Sequence, residues 1–158
     1  LLDRNLEGLI EALDPKRHLI ILDTNGWHFD DKKAKWFSDI GGYKAQISLD
    51  SYVEEEHDQF RNRKGSYKKA MRSIWAAKNA GLELLLSTCI IKDRVFSKEF
   101  DDFLKFCQDN DVPLYVTLAK PVGSARDHAE WICAKRDVDR LKELEDKYNV
   151  FTHMTPSY

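Results

Sequence analysis

Three short stretches carry side chains suited to holding a polar ligand. Asp23-Thr24-Asn25-Gly26 offers a hydroxyl, an amide and a residue free to take positive φ. Asn-Gly is also a common turn dipeptide, so a plain turn and a ligand contact both stand open there. Ser48-Leu49-Asp50-Ser51 sets Ser48 and Asp50 on one side if the segment is a strand. The pair could meet a ribose, an amine or a carboxylate, or could simply cap a following helix. His57-Asp58 and Arg61 come next, behind Glu54-Glu55-Glu56. A His-Asp pair suggests general base catalysis, but no Ser or Cys nucleophile is recognisably paired with it. A solvated helical face is the plainer alternative. Arg61 is the residue type suited to a bidentate grip on a carboxylate.

Other chemistries find little support. Cys89, Cys107 and Cys133 are widely spaced, with no CxxC or CxxxCxxC. Cys89 lies in an apolar strand-like run and Cys107 on an apolar helical stripe, which predicts core thiols in a reducing, cytoplasmic compartment. His18, His28, His128 and His153 show no ligand spacing. Neither GxGxxG nor GxxxxGK[ST] occurs. With 25 basic and 27 acidic residues the chain is nearly neutral, and the basic residues read as spread among acidic ones, so no nucleic-acid face is expected. No apolar run is long enough to span a bilayer and no signal peptide opens the chain.

The elements that must position these residues alternate. Leu6, Leu9, Ile10 and Leu13 mark a helix ended by Asp14-Pro15. Leu19–Leu22 predicts a strand buried on both faces. Ala34, Phe37 and Ile40 suggest a helix stopped by Gly41-Gly42, and Ala45–Leu49 a second strand. Tyr67, Ala70, Met71, Ile74 and Trp75 form the apolar face of a helix, with Ser66 as N-cap and Gly81 as stop. Leu82–Ile91 predicts a strand. Phe96, Phe100, Phe103, Leu104 and Cys107 predict a helix with Ser97 near its start. Leu114–Leu118 is the next strand, Val138 to Tyr148 a last helix, and Val150-Phe151 a short final strand. Units of about 30 residues with short connections predict a parallel α/β domain, residues 1–158 undivided, with ligands at the C-terminal strand ends. An open doubly wound sheet and a barrel both satisfy the pattern.

Taken in order, the strand-end stretches resemble the radical S-adenosylmethionine (SAM) enzymes. Thr24-Asn25-Gly26 is similar to that family's third-strand TNG. Ser48-Leu49-Asp50-Ser51, His57-Asp58-Gln59-Phe60-Arg61 and Gly65-Ser66-Tyr67 resemble its SLD…HDxxR…GS stretch. Ala77 to Leu82 is similar to the helix end before the fifth strand, and Pro121-Val122-Gly123-Ser124-Ala125 to the end of the sixth. The likeness is strongest to the molybdenum-cofactor, PQQ-peptide and sulfatase-maturase branch.

The resemblance implies a partial (β/α)6 TIM-like barrel. It also implies a [4Fe–4S] cluster that cleaves SAM to a 5′-deoxyadenosyl radical for hydrogen abstraction, as in peptide or cofactor maturation. By that likeness Thr24, Asn25 and Ser48 would contact SAM, Arg61 would pair with its carboxylate, Asp50 would support the site, and the loop to Lys120 would flank the adenine. A small-molecule or peptide substrate and a reductant such as flavodoxin or ferredoxin would be partners. The family's CxxxCxxC and GGEP-like segments are absent from these 158 residues, so the cluster ligands would lie outside them. The opening Leu1-Leu2-Asp3, without Met, reads as an excised piece whose edge strand is unpaired, and this piece alone is expected to be inactive. A cluster-independent barrel isomerase or aldolase would instead want a catalytic Lys, for which Lys92 and Lys120 are the candidates. A binding scaffold without catalysis is the third class.

Overall fold

A computed structural model describes residues 5–152; His153 and the opening Leu1-Leu2 lie outside them. Contacts gather the chain into two compact units, Leu1–Leu49 with His57–Leu85 and Asp50–Glu56 with Leu86–Tyr158, so the division falls inside one strand.

The first unit opens with helix α1 (Leu6–Ala12), ended by Asp14 in the left-handed region. Only Ile10 of α1 is buried; Leu9 and Leu13 are half exposed. Strand β1 (Ile21–Thr24) begins two residues later than the apolar run suggests. Leu19 and Ile21 are 75% and 51% exposed, so this run is not buried on both faces among the described residues. Helix α2 (Asp31–Asp39) starts where the Asp30 carboxylate accepts the Lys33 amide, a standard N-cap.

Strand β2 (Lys44–Ser48) pairs in parallel with β1, Thr24 opposite Ile47. Helix α3 (Glu54–Phe60) and helix α4 (Ser66–Asn79) follow. Ser66 is the first helical residue of α4 rather than its cap, because Gly65 takes the cap position with φ +83° and the capping oxygens come from Asp58. Phe29, Ala34, Phe37, Ala45, Ile47, Ala70, Ile74 and Ala77 fill this unit's core. Gly81, at φ +71°, ends α4 and turns the chain into strand β3 (Glu83–Ile90). The Glu83 amide donates to Tyr43 O at 3.2 Å, which sets the start of β3 beside β2.

In the second unit β3 pairs in parallel with β4 (Leu114–Leu118), and β4 with β5 (Val150–Thr152). The strand order is therefore β1-β2-β3-β4-β5. A 3-10 turn at Arg94–Phe96 precedes helix α5 (Lys98–Asp109), capped by Ser97 Oγ on the Phe100 amide at 3.1 Å. Phe96 precedes that cap and is half exposed, while Phe100, Phe103, Leu104 and Cys107 form the buried stripe. Helix α6 (Lys135–Lys147) buries Leu141 and Leu144. No helix among the described residues is long and apolar enough to cross a membrane.

Candidate functional site at the strand tips

Strand alternation decides which side chains can act together. In the first unit Leu22 pairs with Ala45 and Thr24 with Ile47, so these four share the face that carries the buried Ala45 and Ile47. Asp23 pairs with Gln46, and Ser48 follows Gln46 by two, so Asp23, Gln46 and Ser48 share the other, more open face. The register thus sets Thr24 and Ser48 on opposite faces instead of aiming both at one ligand. Thr24 Oγ1 accepts the Gly26 amide at 3.1 Å and Asn25 Oδ1 accepts the Trp27 amide at 3.1 Å. Both side chains close the turn, as the plainer reading of Asn-Gly has it. Gly26 is required there: φ is +75°, and a Cβ would stand 2.9 Å from Ala70 Cα and 2.9 Å from Ser73 Oγ. Gln46, which the motif reading passed over, was marked by the alternation Gln46-Ile47-Ser48.

Arg61 follows α3 and is exposed, its amide bonded to His57 O at 2.9 Å. His57 is buried with its ring edge-on to Tyr67, so it is no part of a solvated face. Asp58 accepts the Gly65 amide at 2.5 Å, the Tyr67 amide at 2.8 Å and the Ser66 hydroxyl at 2.9 Å. Desolvation pushes the Asp58 carboxyl up, but the Tyr67, Gly65 and Ser66 hydrogen bonds, with His57 nearby, outweigh it and hold the pKa below its ordinary value. Asp58 is an anchor for the start of α4, not a base.

The second unit places Asp50 fully buried, with Oδ1 accepting the Cys89 amide at 3.2 Å. Arg94, half-buried, donates to Cys89 O at 3.4 Å. Burial pulls the Arg94 pKa down, opposed by the charges of Asp50, Glu56 and Cys89. Ser51 Oγ donates to Glu56 at 2.6 Å and accepts the Val53 amide at 3.0 Å. Asp50 is therefore a strut for the end of β3. On β3 and β4 the register brings Ser87 and Cys89 to the same half-exposed face as Tyr115 and Thr117, residues that only the two-residue period marks. Lys120 is exposed in the loop after β4, its carbonyl accepting the Val122 amide at 2.7 Å. Lys92 is exposed as well, its amide bonded to Trp131 O at 2.9 Å. Neither lysine has the burial that would make it a ready imine-forming nucleophile.

The thiols do not suit iron. Burial pushes Cys107 up to about 12. Burial, then the charges of Asp137 and Cys89, push Cys133 up to about 12, against the Ala119 amide. Burial favours the neutral thiol in both, and the three cysteines are dispersed along the chain. Among the described residues no group of three or more His, Cys, Asp or Glu could hold a metal. A groove of about 430 Å³ between α2 and α4, lined by Asp31, Lys35, Asp39 and Asn79, lies at the far end of α4 from the strand tips.

Relatives resolve the family. The AdoMet-dependent heme synthase of Oleidesulfovibrio alaskensis is 29% identical over 106 residues, 66% of this chain and 27% of the relative. The GTP 3′,8-cyclase of Listeria welshimeri is 31% identical over 112 residues, 70% of this chain and 33% of the relative. The chain belongs to the radical SAM superfamily. No family model matches it. Streptococcus suis SuiB, solved bound to S-adenosylmethionine, matches 98% of this chain and 37% of its own with a TM-score of 0.69 at 14% identity. Solved bound to the precursor peptide SuiA, it matches 97% of this chain and 36% of its own with a TM-score of 0.70 at 11% identity. The fold of this radical SAM segment is thus a partial, TIM-like α/β barrel of parallel strands with helices. It spans about a quarter to a third of the length of these two curated relatives.

Proposed function

We propose that this chain forms the SAM-binding flank of a radical SAM enzyme that abstracts hydrogen from its substrate. The observation that carries this reading is the open polar face at the β1 and β2 tips. Asp23, Gln46 and Ser48 line up there, with an exposed Arg61 on the following segment. SAM presents a carboxylate, an ammonium group and a ribose diol. A carboxylate, an amide, a hydroxyl and a guanidinium are the complementary set. Arg61 would hold the SAM carboxylate and Ser48 the ribose or methionine end. Asp50, already engaged by the Cys89 amide, would hold the end of β3. Thr24, Asn25 and Gly26 would shape the loop whose backbone borders the ligand. Lys120 would flank the adenine. SAM, when bound to a reduced [4Fe–4S] cluster, supplies a carbon-centred radical for hydrogen abstraction.

The cluster itself does not fit the residues of this chain, since its three thiols are dispersed and no group of three or more ligating side chains gathers among the described residues. Its ligands would come from outside these 158 residues, and so would the surface that meets a flavodoxin or ferredoxin. SuiB's peptide-bound structure favours a peptide among the candidate substrates.

Titration calorimetry with SAM tests the reading. Ser48→Ala and Arg61→Gln should each weaken binding roughly tenfold or more, the loss of one charge-assisted or neutral hydrogen-bonding group. Unchanged affinity in both variants would remove the proposed site. Anaerobic treatment of this chain with iron and sulfide should leave it colourless.

A further inference from the structure

Charge is not evenly spread along this chain. From Gln59 to Leu82 there are seven basic residues and no acidic one, in a protein of net charge −2. Arg61, Arg63, Lys64, Lys68, Lys69 and Arg72 fall on the α3–α4 loop and the first two turns of α4. The start of α4 follows the C-terminal tip of β2, so this basic stretch belongs to the end of the unit where ligands of parallel α/β folds enter. Asp58, the carboxylate just before this stretch in the chain, accepts from Gly65, Ser66 and Tyr67.

A tryptophan organises the stretch. The Arg63 guanidinium lies 3.4 Å above the Trp27 ring centroid, with Lys69 Nζ 5.9 Å from it. Arg72 donates to Trp27 O at 3.5 Å. Trp27 is itself pinned by the Asn25 turn and by Gly26 packed on Ala70. Stacking occupies the flat face of a guanidinium, whereas its five N–H donors point outward in the plane, where a carboxylate can take two at once. Arg63 is therefore pre-oriented, which lowers the entropy lost when an anion binds.

We infer that this face docks an acidic peptide segment, two or three Asp or Glu within about six residues, and so steers a peptide substrate to the strand tips. The inference rests on the reading of the chain as a substrate-handling enzyme core and names the class of that substrate. From Ser66 to Arg72 the helix advances about 9 Å. An extended peptide covers that in about three residues, so alternate side chains of a short acidic run match the basic positions. A nucleic-acid backbone fits less well. It needs a longer basic track than one loop and two helical turns supply.

Fluorescence anisotropy with a labelled Glu-rich decapeptide tests this on the intact chain. The wild type should bind it, and roughly tenfold more weakly when salt rises from about 0.05 to 0.5 M. The triple variant Arg63→Gln, Lys64→Gln, Lys69→Gln should bind at least tenfold more weakly. Lys98→Gln, Lys105→Gln, Lys142→Gln, which removes the same charge elsewhere, should bind as the wild type does. Equal binding by the two triple variants overturns the inference, as does tighter binding of a single-stranded RNA of equal charge. Circular dichroism of the first triple variant should match wild type; with helicity lost, Lys64→Glu alone supplies the test, and no weakening there overturns the inference. SAM calorimetry on the same samples separates the two ideas. Unaltered SAM binding with lost peptide binding places the effect in docking. Peptide binding without any SAM binding removes the proposed function and leaves the docking face.

Discussion

The two units finish their strands by different means. At the tip of β1 neutral side chains do the work over short spans: Thr24 closes on Gly26, Asn25 on Trp27, and the turn rests on Ala70 through a missing Cβ. In the second unit carboxylates do it from a distance in sequence. Asp50 reaches the Cys89 amide, and the fully buried Asp137 accepts the Asp93 amide at 2.7 Å and the Ala134 amide at 2.8 Å. A neutral local turn leaves neighbouring groups half exposed for a ligand. A buried anion holding backbone donors fixes a frame and has nothing left to offer. The polar face of the first unit is thus the one suited to bind, and the buried carboxylates of the second are suited to hold.

The largest effect should follow from removing the frame. Asp137→Ala leaves two amides, Asp93 and Ala134, without their acceptor, at a cost of about 3 kcal/mol. Urea unfolding should show it, together with faster hydrogen exchange at those two amides. A loss below about 1 kcal/mol would mean that the carboxylate is not the frame. Arg136, ion-paired with Asp93 and 5.6 Å from the Phe96 ring centroid, ties the same loop to α6 from its exposed side. Being screened, that pair should matter far less.

Asp58, like the Asp30 cap of α2, is a carboxylate anchor in the first unit. Asp58→Ala should cost about 2 kcal/mol through the start of α4. Its pKa is lowered in the folded chain, so its contribution is complete above the ordinary carboxylate range and is lost as pH falls through the lowered value. Thermal unfolding followed from neutral to acid pH should therefore bring wild type and Asp58→Asn together at the acid end. A constant gap between them would sink the ionic part of the argument.

Legibility in the sequence followed the range of the interactions. β4 was readable to the residue at Leu114–Leu118, because five consecutive apolar and β-branched residues follow Pro113, although only Leu114 and Val116 are buried. The Ser97 cap of α5 was legible for the same local reason. The start of α4 was not: its capping oxygens belong to Asp58, eight residues before Ser66, and no local cap rule reaches that far. Motif matching put Thr24, Ser48 and Arg61 on one ligand, because it reads positions and not faces. Only the pairing of Thr24 with Ile47 shows which side each takes. Asp50 was visible as a polar residue at a strand end. Its engagement with the Cys89 amide, 39 residues away, is tertiary and left no local mark.

The smallest effect has a sign that sets the two units apart. In the first, Ser73 Oγ is buried within 2.7 Å of Gly26 O, 2.6 Å of Phe29 O and 2.8 Å of Lys69 O. One hydroxyl hydrogen serves these carbonyls in turn and fastens α4 to the β1–α2 loop. In the second, Thr88 Oγ1 is buried on the same face of β3 as Leu86 and Ile90, opposite Val116, and has no hydrogen-bond partner among the described residues. Its desolvation is uncompensated. Ser73→Ala should therefore destabilise by about 1 kcal/mol, whereas Thr88→Val, close in shape and without the hydroxyl, should stabilise by about the same amount. Chemical unfolding of the two variants beside wild type decides it. A loss of stability in Thr88→Val would mean that its hydroxyl has an acceptor in solution, and that the second unit, too, leaves a polar group available at its strands.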